Sequence, residues 1–467
     1  MAILHGLSPT PVEHCRVLEV GCSEGANLIP IAYAIPGSEF VGFDLAGLPV
    51  ERARGRIRDL GLRNVSIFKR DILEPFEDLG RFDYIIAHGF YAWVPEAVRD
   101  RLFELIKGLL TPAGIAFVSY NAQPVGYMRS MIRDMMMFRV EGLDDLEQRV
   151  SEGLDFLRFI VKAKPDNDIY RALLEDALKR MEARRPGVTC HDEMNDAFYP
   201  VHFLEFVRHA AQYGLAYLDE AVLPPPQDPS YKQDVRSVLE KASAGDFLKE
   251  EQLLDFVRLR AFRETLLVHA DSEVHREFSP QAFRRLLFAS QTTMAPAENP
   301  DSKIFVLPSN IRMESNHPAV IALLEELGKL WPSVASYADL EPKLAEKGFV
   351  LDTAGAALLI RLAVAKMLEL RSWRAPVAPR IAERPRASAC SRQEARMWGT
   401  ATSLLHGFVT LEDVKVRRLL QLIDGSHDRN GLLEAMRTEF PDTPASELEA
   451  GIESSLNLLH RSAFLED

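Results

Sequence analysis

The chain has 467 residues, with 55 lysines and arginines against 68 aspartates and glutamates and a formal net charge of -13. Apolar residues make up 47% and charged residues 26%; this excludes wholesale disorder and collagen-like repeats, and the length suggests about three domains. No apolar run approaches the roughly 20 residues of a membrane-spanning helix, and the acidic balance makes nucleic acid a poor default partner.

Met1–Thr10 has no basic stretch followed by an apolar core, so no secretory signal is read. Five short apolar runs then alternate with helical patterns. The runs are Arg16–Val20, Phe40–Phe43, Val65–Phe68, Phe82–Ala87 and Gly114–Tyr120; helical periodicity covers Leu28–Ala34, Val50–Leu60 and Val98–Leu110. Such alternation means βαβ units and a parallel sheet, hence an α/β fold. From Gln123 to about Asp196 the periodicity is helical. Val201–Gln212 reads as a helix, Leu215–Leu223 as a strand ended by Pro224, Pro225 and Pro226, and Thr265–Ala270 as another strand.

Residues 123–196 are therefore read as a helical insertion or regulatory segment within a first domain of residues 1–270. The alternative is a helical domain that follows a five-stranded one. Residues 271–375 form a mostly helical middle domain, with helices at Ala319–Leu330 and Ala354–Leu370 and a β-like run at Ile304–Leu307. Residues 376–396 are rich in Pro, Arg, Ala and Ser, as an exposed linker would be. Residues 397–467 hold two helical segments joined near Asp424–Asn430, and no repeat of fixed period is found. The cysteines Cys15, Cys22, Cys190 and Cys390 form no CxxC pair, which fits neither a zinc site nor a disulfide framework and points to the reducing cytoplasm.

The strongest chemical signal is Glu19-Val-Gly21-Cys-Ser-Glu-Gly25, where the first strand gives way to the first helix. Gly21 permits a sharp turn, Gly25 permits close backbone approach to a ligand, and a helix start offers free N–H groups. Asp44, 23 residues after Gly21 at the next strand tip, suits the two ribose hydroxyls of a nucleoside. A dinucleotide would want G-x-G-x-x-G, but Glu19 stands in place of the first glycine and no third glycine follows. A carboxylate there repels pyrophosphate and suits a cation. S-adenosylmethionine carries a sulfonium and an ammonium, and Asp71 at the third strand tip fits its adenine amino group. A nucleotide-like turn without a ligand is the bland alternative.

RVLEVGCSEGANLIPIA, FVGFDLA and FDYIIAHGFYAWVP resemble class I methyltransferases. GIAFVSYNAQP, VRLRAFRETLLVH at Val257–His269 and LLQLIDGSHDR at Leu419–Arg429 narrow the resemblance. The chain is similar to bacterial methyltransferases with an attached regulatory domain, a family that includes the rickettsial protein-lysine methyltransferases acting on outer membrane protein B. The resemblance implies a Rossmann-like catalytic sheet, a helical middle domain and a winged-helix-like C-terminal domain, with S-adenosyl-L-methionine as cofactor. It implies that Glu19, Gly21, Cys22, Ser23, Gly25 and Asn27 surround the methionine half. Asp44 and Leu45 would take the ribose side, Asp71 and Ile72 the adenine, and His88 and Gly89 the methyl end. Tyr91, Trp93, Tyr120 and Asn121 would line the acceptor slot. Ser23 and Ala26 depart from the usual glycine-rich turn, Pro124-Val125-Gly126 replaces the common Pro-Gly, and the stretch that precedes Met1 in relatives is largely absent.

The resemblance implies transfer to lysine of a protein substrate. Aromatic walls can guide an ammonium into such a slot, and a poorly hydrated slot beside a sulfonium disfavours its charge. His88 as base, and Tyr91 and Trp93 as catalytic aromatics, are the candidates; Trp93 as core packing is the alternative. A small-molecule methyltransferase and a cofactor-binding protein without turnover are rival readings. His191, Asp192, Glu193 and His202 match no common metal spacing, so no metal is expected. The methionines at 128, 131, 135, 136 and 137 read as helical core or as an adaptable surface. Arg380, Arg384, Arg386, Arg392 and Arg396 read as a solvated linker or an anion site.

Overall fold

The computed structural model describes residues 1–184, 186–223 and 235–467; Pro224, Pro225 and Pro226, read as the end of a strand, lie outside them. The first half follows strand–helix alternation: β1 (Arg16–Val20), α1 (Leu28–Ala34), β2 (Glu39–Asp44), α2 (Gly47–Leu60), β3 (Val65–Lys69), β4 (Phe82–Ala87), α3 (Glu96–Leu109) and β5 (Leu110–Asn121). Four helices follow, α4 (Val125–Arg139), α5 (Leu146–Ala163), α6 (Ile169–Glu182) and α7 (Pro186–Glu193). The chain then returns through α8 (Phe203–Gln212), β6 (Leu215–Glu220), α9 (Val235–Ser243), α10 (Phe247–Arg258) and β7 (Phe262–His269). The seven strands form one sheet in the order β3-β2-β1-β4-β5-β7-β6. β1 to β5 are parallel, and β7 runs antiparallel between β5 and β6.

Period-two alternation divides the strand residues between two faces. Leu18, Val20, Ile85, Ala87, Ala116 and Val118 pack under α3 and α8. Val17, Phe40, Val65 and Ile67 pack under α1 and α2. Burial on both faces is why β1, β2, β4 and β5 read as short continuous apolar runs, whereas the edge strand β3 exposes Ser66 and Phe68. The helices α4–α7 build their own core around Met136, Leu157 and Leu174. Of the methionine cluster, Met136 is fully buried, whereas Met131 is exposed.

The middle domain holds α11 (Pro280–Phe283), β8 (Leu287–Ala289), β9 (Thr293–Ala295), β10 (Lys303–Val306), β11 (Arg312–Ser315), α12 (Pro318–Leu330), β12 (Ala335–Ser336), α13 (Tyr337–Glu346), α14 (Thr353–Val364) and β13 (Glu369–Arg371). Besides the expected helices it therefore carries two three-stranded sheets. The run expected at Ile304–Leu307 falls on β10, and the other strands, of two to four residues, are too short to register as alternation.

The expected exposed linker needs a larger correction. Val377, Ala378 and Ala387 are buried, and α15 (Ala389–Met397) buries Cys390, Ser391, Glu394 and Ala395. The segment belongs to the C-terminal domain, because its inward face is built from small and polar side chains that no apolar period marks. Three of its arginines are engaged: Arg386 pairs with Glu466 at 2.7 Å, and Arg384 and Arg392 donate to the carbonyls of Ser426 and Ala387. Past it lie β14 (Thr400–Thr402), β15 (Phe408–Thr410), α16 (Val414–Leu422), α17 (Arg429–Glu439) and α18 (Ala445–Arg461), a hairpin and three helices where two helical segments were expected. Among the described residues no helix is long and apolar enough to cross a membrane.

Candidate cofactor and acceptor site

The carboxyl ends of β1, β2 and β4 meet at the turn between β1 and α1. Gly21 there has φ +69°, and a Cβ would come within 2.8 Å of the Phe90 ring. Ser23 adopts φ +46°, holding without a glycine the left-handed backbone that glycine favours, and donates its N–H to Asp44 Oδ2 at 2.9 Å. Asp44 Oδ1 accepts from the Ala46 N–H at 2.8 Å. At Gly25 a Cβ would meet the Ile67 and Ile29 side chains at 2.7 and 2.9 Å. Its φ of +67° and this lack of room for a Cβ are what let the turn pack on the sheet. Cys22 likewise turns its thiol inward beneath Gly42, where burial beside Glu19 and Asp44 pushes its pKa up.

Glu19 lies in the same turn, 4% exposed. Asn27 Nδ2 donates to its Oε1 at 2.9 Å, while its Oε2 is buried without a hydrogen-bond partner. Burial pushes the Glu19 carboxyl up to about 7, against the lowering effect of Asn27. A buried carboxylate oxygen with no donor is costly unless a cation meets it. At the β2 tip Leu45 is 66% exposed, an apolar surface beside Asp44 that fits a base or ribose. Asp71 accepts from the Leu73 N–H at 3.0 Å, and Ile72 turns its side chain into the main core, so only its backbone is free to face a ligand. The residues present fit S-adenosylmethionine: an unmatched carboxylate for its ammonium, Asp44 for its ribose hydroxyls and Leu45 for its apolar rim. They do not fit a pyrophosphate.

At the β4 end His88 is exposed, and Ser119 on β5 fixes it from below. The Gly89 N–H donates to Ser119 Oγ at 2.7 Å, and Ser119 Oγ lies 3.0 Å from His88 Nδ1. Ser119 is fully buried, and its hydroxyl holds His88 through Nδ1, leaving Nε2 as the ring nitrogen free of it. The rings near His88 are Phe117 and Phe262, with centroids at 5.9 and 6.3 Å. Asn121 falls on the same strand face as Phe117 and Ser119 by period two; it is 8% exposed and its Oδ1 has no partner. A cavity of about 1200 Å³ opens along this face, bounded by Asn27, His88, Phe117 and Glu264 at the sheet and by Leu368 and Leu370 of the middle domain.

Tyr91, Trp93 and Tyr120 are placed elsewhere. Tyr91 is 2% exposed, its hydroxyl is 2.8 Å from His209 Nδ1, and Arg99 lies over its ring. Tyr120 is fully buried and stacks on Phe206 with centroids 4.1 Å apart. Trp93 packs on Phe198 beneath Arg129 and Arg133, joining the β4 loop to the helical insertion. Strand-end loops alternate between core and crevice, and the sequence does not say which side a given aromatic takes. Phe117 and Phe262 were missed; both lie at positions whose strand neighbours already pointed to the core. Glu193 pairs with Arg129 at 2.8 Å and Asp192 with Arg184 at 3.2 Å. Among the described residues no group of three His, Cys, Asp or Glu is arranged to hold a metal.

Fold and site together define a class I, Rossmann-like methyltransferase with a crevice for a cationic nucleoside. A family model for a methyltransferase domain matches residues 18–116, one for a predicted methyltransferase regulatory domain matches 186–269, and one for the PKMT C-terminal winged helix domain matches 383–463. Two uncharacterized proteins of Rickettsia prowazekii are similar. RP789 is 32% identical over 282 residues, 60% of this chain and 50% of that protein; RP028 is 33% identical over 208 residues, 44% of this chain and 83% of that protein. The matched stretch thus spans half the length of the first relative. PKMT2 from Rickettsia typhi, solved in complex with AdoHcy, shares the fold with a TM-score of 0.87 at 24% identity, over 99% of this chain and 96% of that one. The chain belongs to the family of PKMT-like class I methyltransferases that carry a regulatory domain and a C-terminal winged helix.

Proposed function

We propose that the protein is an S-adenosylmethionine-dependent methyltransferase that modifies lysine side chains of a protein substrate. The observation that carries this reading is Glu19, whose buried Oε2 has no partner in the turn where Asp44 also converges. When bound, the cofactor supplies an electrophilic methyl group on a sulfonium, and in-line displacement at carbon makes positioning the chief source of rate. Glu19 holds the ammonium, Asp44 the ribose hydroxyls. His88, held through Nδ1 by Ser119, turns Nε2 toward the acceptor and orients it.

A free lysine has an ordinary pKa near 10.4 and must lose a proton to solvent before it can attack. The apolar walls Phe117 and Phe262 disfavour its charged form. Asn121 Oδ1 accepts an N–H of the neutral amine and aims its lone pair. The cavity beside His88 gives a long side chain its approach, and membership of the PKMT-like family favours a protein as its bearer.

Calorimetry of the full chain with S-adenosylhomocysteine tests the cofactor; binding is expected, and Asp44→Ala should weaken it at least about tenfold. No binding by the wild-type chain would sink the reading. Transfer of tritiated methyl from S-adenosylmethionine to a protein extract, followed by amino acid analysis, should place label in lysine. Label confined to a small molecule would reject the protein substrate.

A further inference from the structure

The cofactor turn is touched by the domain at the far end of the chain. Asn27 Oδ1 accepts a hydrogen bond of 2.7 Å from His406 Nε2, across 379 residues of sequence. His406 sits at the tip of the β14–β15 hairpin with φ +63°, a conformation that is costly for a residue with a Cβ. Three bonds impose it: Ser403 N–H to Gly407 O, Gly407 N–H to Ser403 Oγ and His406 N–H to Ser403 O. The base of the hairpin is fixed as well. Glu394 Oε2 accepts the Thr402 N–H at 2.7 Å, and its Oε1 accepts from Arg56 Nη2 on α2 at 2.9 Å. Tip and base of the hairpin are thus both tied to the cofactor-binding half of the catalytic domain.

The bonds have a direction. His406 Nε2–H donates to the Asn27 carbonyl, and the Asn27 amide donates to Glu19 Oε1. Flipping the Asn27 amide would set its carbonyl against the Glu19 carboxylate, so Glu19 decides which way the amide faces. His406 then anchors the carbonyl end of Asn27, which holds Glu19 by Oε1 and leaves Oε2 open.

We propose that His406 is a positioning residue for the cofactor: through Asn27 it fixes Glu19 toward the cofactor ammonium, so that cofactor affinity depends on the docked C-terminal domain. This rests on the cofactor reading above. Coupling of this kind is reciprocal, so the bound cofactor also tightens the docking of the hairpin.

The test is S-adenosylhomocysteine titration of the full chain in a double-mutant cycle. His406→Ala should weaken binding about fivefold, the usual net effect of one neutral hydrogen bond. His406→Gln, which keeps an N–H donor, should return to within about twofold of wild type. In an Asn27→Ala background, His406→Ala should add almost nothing. In turnover, His406→Ala should raise the KM for the cofactor and leave kcat at saturating cofactor unchanged, a split that general loosening of the fold would not produce. His406 is exposed, so its replacement leaves the core intact. Wild-type affinity in His406→Ala, or an equal loss with and without Asn27, would overturn the inference while leaving the cofactor reading standing. Absence of binding by the wild-type chain would instead remove the cofactor reading and this inference with it.

Discussion

Glu19→Gln isolates the charge in the crevice. The free protein holds this carboxyl near 7, against an ordinary value of 4.5, because burial outweighs the bond from Asn27. A group whose pKa is raised on folding contributes stability below its unfolded value and loses it as pH rises through the folded value. Ionising Glu19 therefore costs the free protein roughly 3 kcal/mol by pH 8 and under about 1 kcal/mol at pH 5. At 4% exposure solvent screening takes little from that figure. A glutamine adds a buried amide that must find a partner, which shifts stability by a constant offset of about 1–3 kcal/mol. The informative quantity is thus the pH dependence: the wild type should lose about 2–3 kcal/mol more than Glu19→Gln between pH 5 and 8.

Cofactor binding reports the same charge with the opposite sign. An ammonium at Oε2 favours the carboxylate, so binding at pH 7 should release about half a proton. Calorimetry in two buffers of different ionisation enthalpy measures that release. Affinity should fall about 25-fold from pH 7.5 to 5.5 as the ionised fraction of a group near 7 shrinks, and Glu19→Gln should bind weakly and without this slope. No proton release, together with an affinity that is flat across this window, would refute the placement of the ammonium at Glu19.

Three other outcomes follow from the geometry. Asn121→Leu keeps the shape and removes the unpartnered oxygen, so turnover should drop at least about tenfold while the S-adenosylhomocysteine Kd stays within about twofold; equal loss in both would count against an acceptor role. Tyr91→Phe deletes only the hydroxyl on His209, and should cost about 1 kcal/mol of stability by thermal denaturation with kcat unchanged; a tenfold fall in kcat would return Tyr91 to the slot. Glu394→Ala leaves the Arg56 guanidinium, 2% exposed, without its carboxylate, at a cost of about 3–5 kcal/mol. A loss below about 1 kcal/mol there would mean that water reaches Arg56.

The five parallel strands were legible because burial makes each a short apolar run, the first three closed by Gly21, Asp44 and Asp71. Glu19 and Asp44 were legible because a turn before a helix leaves few roles for acids at those spacings. The packed segment at 376–396 was not, since α15 buries Cys390, Ser391, Glu394 and Ala395 and carries no apolar stripe. Tyr91 was misjudged because its orientation is decided by Arg99 on α3 and His209 on α8, partners that no local pattern announces. His406 could not be found at all: nothing in residues 403–407 marks a contact with Asn27.

These placements divide the labour within the molecule. The C-terminal domain grips the cofactor half of the sheet at three points, Tyr33 to Glu466 at 2.9 Å, Arg56 to Glu394 and Asn27 to His406. The cavity at the ends of β4 and β5 is bounded instead by the middle domain, while Trp93 ties the β4 loop to the helical insertion outside it. A buried carboxylate oxygen without a donor costs stability, and the C-terminal domain is clamped on α1 and α2 beside it. Perturbing the clamp should therefore appear first in the affinity for the cofactor, and perturbing the insertion first in the choice of acceptor. If changes in the insertion moved cofactor affinity as much as changes in the hairpin do, the two halves would not be separable.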